Sequence, residues 1–152
     1  MNVWYVNSIL GTFRLEEEND AICGLTLCPD GVPELEPLPR KVCETPLLQE
    51  AEEQLNEYFA GARREFDLPL APKGTPFQKA VWAEMCRIPY GETRTYGQLA
   101  AAASRAVGGA CHCNPIAILQ PCHRVVGSTG KLTGYAYGVE MKQYLLELEQ
   151  QE

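Results

Sequence analysis

The sequence predicts an α+β protein in two units, a small antiparallel-sheet domain followed by a mostly helical one. Three observations carry this. Alternating apolar and polar residues dominate the first 28 positions. Helices with paired capping signals dominate beyond residue 74. Between them "DLPLAPKG" (67–74) has proline and glycine breaking every periodic pattern, which makes it the candidate linker. The domains are accordingly placed at 1–72 and 73–152.

The elements follow in order. "VWYVNSILGTFRL" and "AICGLTLC" read as half-buried strands separated by an acidic turn, "EEEND". "DGVPELEPLPRKVC" is proline-rich and reads as loop with at most short strand pieces. Thr45 as N-cap and Pro46 at the first helical position open a helix. Leu47, Leu48, Ala51, Leu55, Tyr58 and Phe59 share one face of it, and Gly61 closes it. Thr75 and Gln78 form a capping box for a helix burying Phe77, Val81, Trp82 and Met85, which "IPYGE" ends. Thr95 and Gln98 repeat the device for a short helix through Tyr96 and Leu99. Ser104 caps a further helix from Arg105, stopped by Asn114 and Pro115. "IAIL" and "CHRVV" are β-prone, with Pro121 breaking regular pairing between them. "GSTG" is a turn. The last helix, from about Val139 to Glu149, buries Val139, Tyr144, Leu145 and Leu148.

A chain of 152 residues with 45% hydrophobic and 22% charged residues can build a packed core. No segment approaches the roughly 18 apolar residues of a membrane span, and a soluble, cytoplasmic protein is expected. Its seven cysteines, an odd number, read as free thiols in a reducing compartment. The net charge of −7 is unevenly spread. Residues 1–72 carry 14 acidic and 5 basic side chains, whereas 73–152 carry 6 and 8. Between Lys73 and Lys131 only Glu84 and Glu92 oppose seven bases. Screening limits the reach of distant acids to about 10 Å, so this stretch can hold phosphates locally. Ordinary surface charge is the alternative.

Two helices joined by a tight turn around residue 104 read as a helix-turn-helix with the segment from Arg105 as recognition helix, or as two packed core helices. "CHC" at 111–113 has the look of a metal site. On a helix, however, Cys111 and Cys113 point about 200° apart, and no second C-x₂₋₄-C pair exists to complete a tetrahedron, so no metal is expected. Cys23, Cys28 and Cys86 read as small apolar filler. Cys122 differs. Pro121 makes the chain irregular before it, and His123 and Arg124 follow; basic neighbours raise the thiolate fraction of a cysteine. On a regular strand Cys122 and His123 would face opposite sides, so coupling would need a kink or a bridging water. A buried, inert cysteine is the competing reading.

"NPIAILQPCHRVVGSTGKLTGYAYG" resembles the active-site segment of O6-alkylguanine-DNA alkyltransferases, the methylated-DNA–protein-cysteine methyltransferases. The flanks "GTPFQKAVW", "IPYGETRTYGQLA", "RAVGGA" and "KQYLLELE" agree with it, as do "SILGTFRL", "ICGLTL" and "LLQEAEEQLNEYFAGARREFDLPL" near the start. The resemblance covers nearly the whole chain. It implies a ribonuclease H-like first domain and a winged helix-turn-helix-like second domain carrying the active-site cysteine. It also implies the activity: direct, irreversible transfer of an alkyl group from O6-alkylguanine in double-stranded DNA to the protein's own cysteine, with O4-alkylthymine left open as a second substrate. The protein would flip the base, react once, need no cofactor and act as a monomer.

Carried over residue by residue, the resemblance makes Cys122 the alkyl acceptor, with His123 (through a water) and Glu149 as the relay that deprotonates it. Tyr96 would donate to the guanine and crowd its phosphate. Arg105 would fill the space left by the base, with Ala106 and Gly108 on the same DNA-facing helix. Asn114 would pin the turn ahead of the active-site segment. Val125, Tyr135, Ala136 and Tyr137 would line the guanine pocket, and Arg124 would pair with a carboxylate across the domain. Two departures from the family pattern stand out: the stretch from Tyr96 to Arg105 is several residues shorter than usual, and Tyr137 stands where glycine is usual. They leave open one alternative to repair, a protein diverged or engineered to label itself from benzylguanine-type substrates. A second, a protein that binds the damaged base without chemistry, is opposed by the presence of Cys122, which relatives of that kind replace.

Overall fold

The structure, a computed structural model, describes residues 1–28, 41–103, 110–111, 113–127 and 139–150; the side chains of 41–42, 100–103 and 139 lie outside the description. The expected loop over most of 30–43, the cap at Ser104, the helix start at Arg105 and the "GSTG" turn fall largely or wholly outside it. The chain divides into two compact units, Met1–Pro72 and Lys73–Glu152.

In the first unit β1 (Asn2–Ser8), β2 (Gly11–Glu18) and β3 (Ala21–Cys28) form an antiparallel meander, and β4 (Lys41–Val42) pairs parallel to β1, giving the order β3-β2-β1-β4. Val3, Val6, Phe13, Leu15, Ile22 and Leu25 fill the core under α1 (Pro46–Phe59). Thr45 Oγ1 accepts from the Leu48 amide at 3.2 Å, and Gly61 follows the helix at φ +78°, the left-handed conformation that ends helices. Leu48, Ala51, Leu55 and Tyr58 are buried, while Leu47 and Phe59 are only half-buried at the edge of that face.

Two expectations change here. The acidic run is not a turn: Glu16, Glu17 and Glu18 continue β2, and only Asn19 and Asp20 turn, both at positive φ. Glu17 is tolerated inside because Asn2 Nδ2 and Thr45 Oγ1 each donate to it at 3.0 Å, which ties β1 and the start of α1 to β2. A register shift between Glu16 and Glu17 breaks the strict alternation, so both side chains are buried. The linker candidate is partly structural as well. Leu70 bridges to Ile22, with hydrogen bonds of 2.8 Å from Ile22 to Pro69 and from Ala71 to Ile22. Main-chain pairing outweighs its proline content.

The second unit holds α2 (Pro76–Met85), β5 (Arg94–Thr95), α3 (Tyr96–Ala103), β6 (Val125–Val126) and α4 (Val139–Leu148). Both capping boxes form: Thr75 and Gln78 exchange bonds of 2.9 and 3.1 Å, Thr95 and Gln98 bonds of 2.8 and 3.0 Å. Val81, Trp82 and Met85 are buried, and Phe77 is half-buried. In α4, Met141, Lys142, Leu145 and Leu148 are buried; Leu145 and Leu148 are as expected, whereas Tyr144 is only half-buried, at the edge of that face.

Gly74 is required by a close approach. A Cβ there would sit 2.5 Å from the Trp82 ring, which is buried and anchored by its Nε1 donating to Ala110 at 2.9 Å. Gly74→Ala is expected to destabilise the second unit by about 1–3 kcal/mol through this overpacking. The urea midpoint of the variant checks it, and an unchanged midpoint would show that the ring moves aside freely.

Candidate active site

The segment around Cys122 is neither strand nor α-helix. Cys122–Arg124 form a single 3₁₀ turn after Pro121, closed by the Arg124 amide on Pro121 O at 3.0 Å, and only Val125–Val126 are extended. The β-prone reading of "CHRVV" thus holds for its last two residues alone. In "IAIL" only Ile116 makes a β-bridge; 117–119 turn, with Leu119 N donating to Ala117 O at 2.7 Å. At three residues per turn, neighbouring side chains diverge by about 120° instead of pointing to opposite faces, so the kink that coupling of Cys122 to His123 requires is present. Val125 and Val126 pair in parallel with Arg94 and Thr95, which brings the start of α3, and Tyr96 with it, beside the turn.

Glu149, immediately after α4, enters from the other side. Its carboxylate is buried and accepts from Arg124 Nε at Oε1 (2.8 Å), Arg124 Nη2 at Oε2 (3.0 Å) and His123 Nε2 at Oε2 (2.6 Å), with a longer contact of 3.4 Å from the Gly91 amide to Oε1. The carboxylate that Arg124 was expected to find across the domain is therefore that of Glu149. Arg124 Nη1 donates to Ile88 O at 2.7 Å, and the guanidinium lies 5.8 Å from the Tyr90 ring centroid. Burial pushes the Glu149 carboxyl up, but the hydrogen bonds and positive charge of its partners outweigh it and hold it at about 2. Burial lowers the His123 pKa, with Arg124 and Lys142 adding to that push against Glu149. His123 is therefore neutral at pH 7. An ionised carboxylate only accepts, so Nε2 carries the ring proton and Nδ1 keeps its lone pair. That Nδ1 is buried and has no hydrogen-bond partner among the described residues.

Cys122 is itself buried, and Asn114 Nδ2 donates to its sulfur at 3.2 Å. Asn114 also binds Gln120 O, Gln120 Nε2 and the Ile116 amide, which ties together the loop that leads into Cys122. Tyr96 is half-buried; burial, with the Cys111 and Cys122 thiols, pushes its hydroxyl up to about 12, so it stays a donor. Cys111 is also pushed up to about 12, chiefly by burial, and packs against the Met85 sulfur at 3.5 Å. That is the environment of an inert thiol. Val125 is wholly buried. Arg105, Ala106, Gly108, Tyr135, Ala136 and Tyr137 lie outside the described residues.

Two polar residues of this site were missed. Lys142 is wholly buried, its ammonium 5.8 Å from the Tyr96 ring centroid, and the Cys122 and Cys111 thiols act against the lowering that burial imposes on it. Its place two turns before Glu149, on the same helix face, was the available signal. Gln120 was signalled only by being the one polar residue in an apolar run.

Residues 3–72 match the model of the ribonuclease-like domain of 6-O-methylguanine DNA methyltransferase, and residues 76–151 match that of its DNA binding domain. The chain belongs to this family. The constitutive methylated-DNA–protein-cysteine methyltransferase of Bacillus subtilis is 47% identical over 148 residues, covering 92% of this chain and 90% of its own. That of Methanosarcina barkeri is 58% identical over 107 residues, 67% of this chain and 68% of its own. The crystal structure of Mycobacterium tuberculosis OGT in complex with DNA superposes with a TM-score of 0.88 at 39% identity, covering 99% of this chain and 93% of that one.

In this member of the methyltransferase family, the charge arrangement predicts how stability responds to acid. Both site shifts are downward, so the unfolded chain binds more protons than the folded one below the ordinary values of 6.5 and 4.5. The stabilisation is complete above the histidine value. It is lost as pH falls, with the Glu149 share disappearing between 4.5 and about 2. Glu149→Gln leaves Arg124 buried without its counter-charge and is expected to cost about 3–5 kcal/mol at pH 7. Thermal melts of both proteins across pH should converge as pH approaches 2; a constant gap would mean that Glu149 is not ionised in the folded state.

Proposed function

We propose that this chain repairs DNA by moving the alkyl group from O6 of an alkylated guanine onto Cys122 Sγ, once per molecule. The observation that carries it is the buried His123–Glu149–Arg124 cluster next to a cysteine whose sulfur already receives an N–H from Asn114. Relatives named as methylated-DNA–protein-cysteine methyltransferases, the match to the family's DNA binding domain and the DNA complex of a 39% identical neighbour support DNA binding and alkyl transfer.

The neutral His123 accepts at Nδ1 through a water, which takes the thiol proton as it passes its own to the ring. Glu149 then steadies the imidazolium that forms, while Arg124 keeps the carboxylate ionised throughout. The thiolate attacks the alkyl carbon in line; the S–C bond forms as the C–O6 bond breaks, and the electron pair leaves with guanine. Tyr96, still protonated, donates a hydrogen bond to the departing base. The thioether has no easy hydrolytic exit, so turnover ends there. The base must leave the stack for its alkyl carbon to reach a buried sulfur. Arg105, Ala106 and Gly108 are assigned to the flipped duplex, and Tyr135, Ala136 and Tyr137 to the guanine pocket. The protein acts as a cytoplasmic monomer in this reading, with O6-alkylguanine in double-stranded DNA as its substrate.

Incubation with duplex DNA bearing radiolabelled O6-methylguanine should place one methyl group per protein, on the peptide containing Cys122. Cys122→Ser should abolish labelling, and His123→Ala should slow it by about 10²–10⁴. Label on another cysteine, or labelling that survives Cys122→Ser, would overturn the assignment.

A further inference from the structure

We propose that Gln120 is a positioning residue for the transfer, fixing the amide of Asn114 so that its N–H end meets the Cys122 sulfur; the proposal rests on Cys122 being the acceptor. A side-chain amide has a donor end and an acceptor end of nearly the same shape, and only its hydrogen bonds decide which end faces which neighbour. With the acceptor end toward Cys122, Asn114 would oppose the negative charge that builds on the sulfur as the thiol loses its proton. With the donor end there, it forms a charge-assisted bond that strengthens during that step.

Four bonds set the orientation. Asn114 Oδ1 accepts from the Ile116 amide at 3.0 Å and from Gln120 Nε2 at 2.7 Å. Asn114 Nδ2 donates to Gln120 O at 2.8 Å and to Cys122 Sγ at 3.2 Å. Gln120 thus holds both ends of the same amide, the oxygen through its side chain and the nitrogen through its carbonyl. Flipping Asn114 would leave the Gln120 and Ile116 N–H groups facing another donor inside the protein, where an unmet donor is costly. Gln120 is buried at 3% exposure, which is unusual for a glutamine, and its burial makes sense if the amide is needed there. The loop it closes is strained. Ile118, β-branched and buried, sits at φ +67°, a conformation that persists only where the surroundings over-determine it. The Gln120–Asn114 clamp spans that residue.

Gln120→Leu and Gln120→Met remove the amide at similar volume. Each is made in the wild-type and the Asn114→Ala backgrounds, after thermal melts have established that it folds. Two quantities are read: the rate of methyl transfer from methylated duplex DNA, and the pH midpoint of Cys122 alkylation by iodoacetamide, resolved by peptide mass spectrometry. In the wild-type background, transfer should slow roughly tenfold, the worth of one hydrogen bond to a charged group, and the alkylation midpoint should move upward. In the Asn114→Ala background neither change should recur, because Gln120 acts through Asn114. Unchanged rate and midpoint, equal losses in both backgrounds, or collapse of the fold in both variants would overturn the proposal. Failure of the acceptor assignment is distinguishable, since it appears as wild-type protein that takes no methyl on Cys122.

Discussion

One buried carboxylate organises the second unit. Glu149 lies where the last helix ends and accepts from Arg124 and His123 at once, so its two oxygens join α4 to the turn that carries Cys122. Taking a carboxylate and a guanidinium out of water costs several kcal/mol for each ion, and only close, paired geometry recovers it. The two-point Arg124 contact supplies that geometry and leaves the cluster neutral. The bond to His123 then fixes the ring tautomer, on which the proposed proton transfer from Cys122 depends. Arg124 is structural in what it touches and functional in what it permits.

Local rules carry these groups into place. The paired capping boxes start α2 and α3 where Thr75 and Thr95 stand, and the short parallel pair Arg94–Thr95 with Val125–Val126 lays the start of α3 along the active turn. Pro121 denies the preceding chain a ladder hydrogen bond, and the 3₁₀ turn that follows reorients Cys122 against His123. The main chain of Ile88 and Gly91, from the turn after α2, contributes acceptor and donor to the same cluster. Three helices, a two-residue ladder and one irregular loop therefore converge on a few polar atoms.

Much of this was legible in the residues. Capping signals located three helices because a threonine side chain and a proline have positional meanings that survive tertiary context. The cysteine, histidine, glutamate and asparagine of the site were legible through resemblance, and the structure brings those four together. What was not legible depends on long-range partners. Glu16–Glu18 looked like a turn because isolated acids avoid sheets, yet Asn2 and Thr45 make Glu17 acceptable inside one. "CHRVV" looked like strand because valine favours it, but only two residues found a partner edge. Gln120 and Lys142 carried no local pattern strong enough to mark them, since their roles come from atoms distant in sequence or across a loop.

The central claim is that burial keeps His123 neutral and Glu149 fixes its proton on Nε2, which leaves Nδ1 to receive the Cys122 proton in the proposed transfer. Nitrogen-15 NMR of the histidine side chains in unreacted protein, assigned through His123→Ala, reads this directly. At neutral pH the account predicts a neutral ring in the Nε2–H form for His123, losing that signature in Glu149→Gln. A His123 that is already an imidazolium at neutral pH, or that carries its proton on Nδ1, would contradict it.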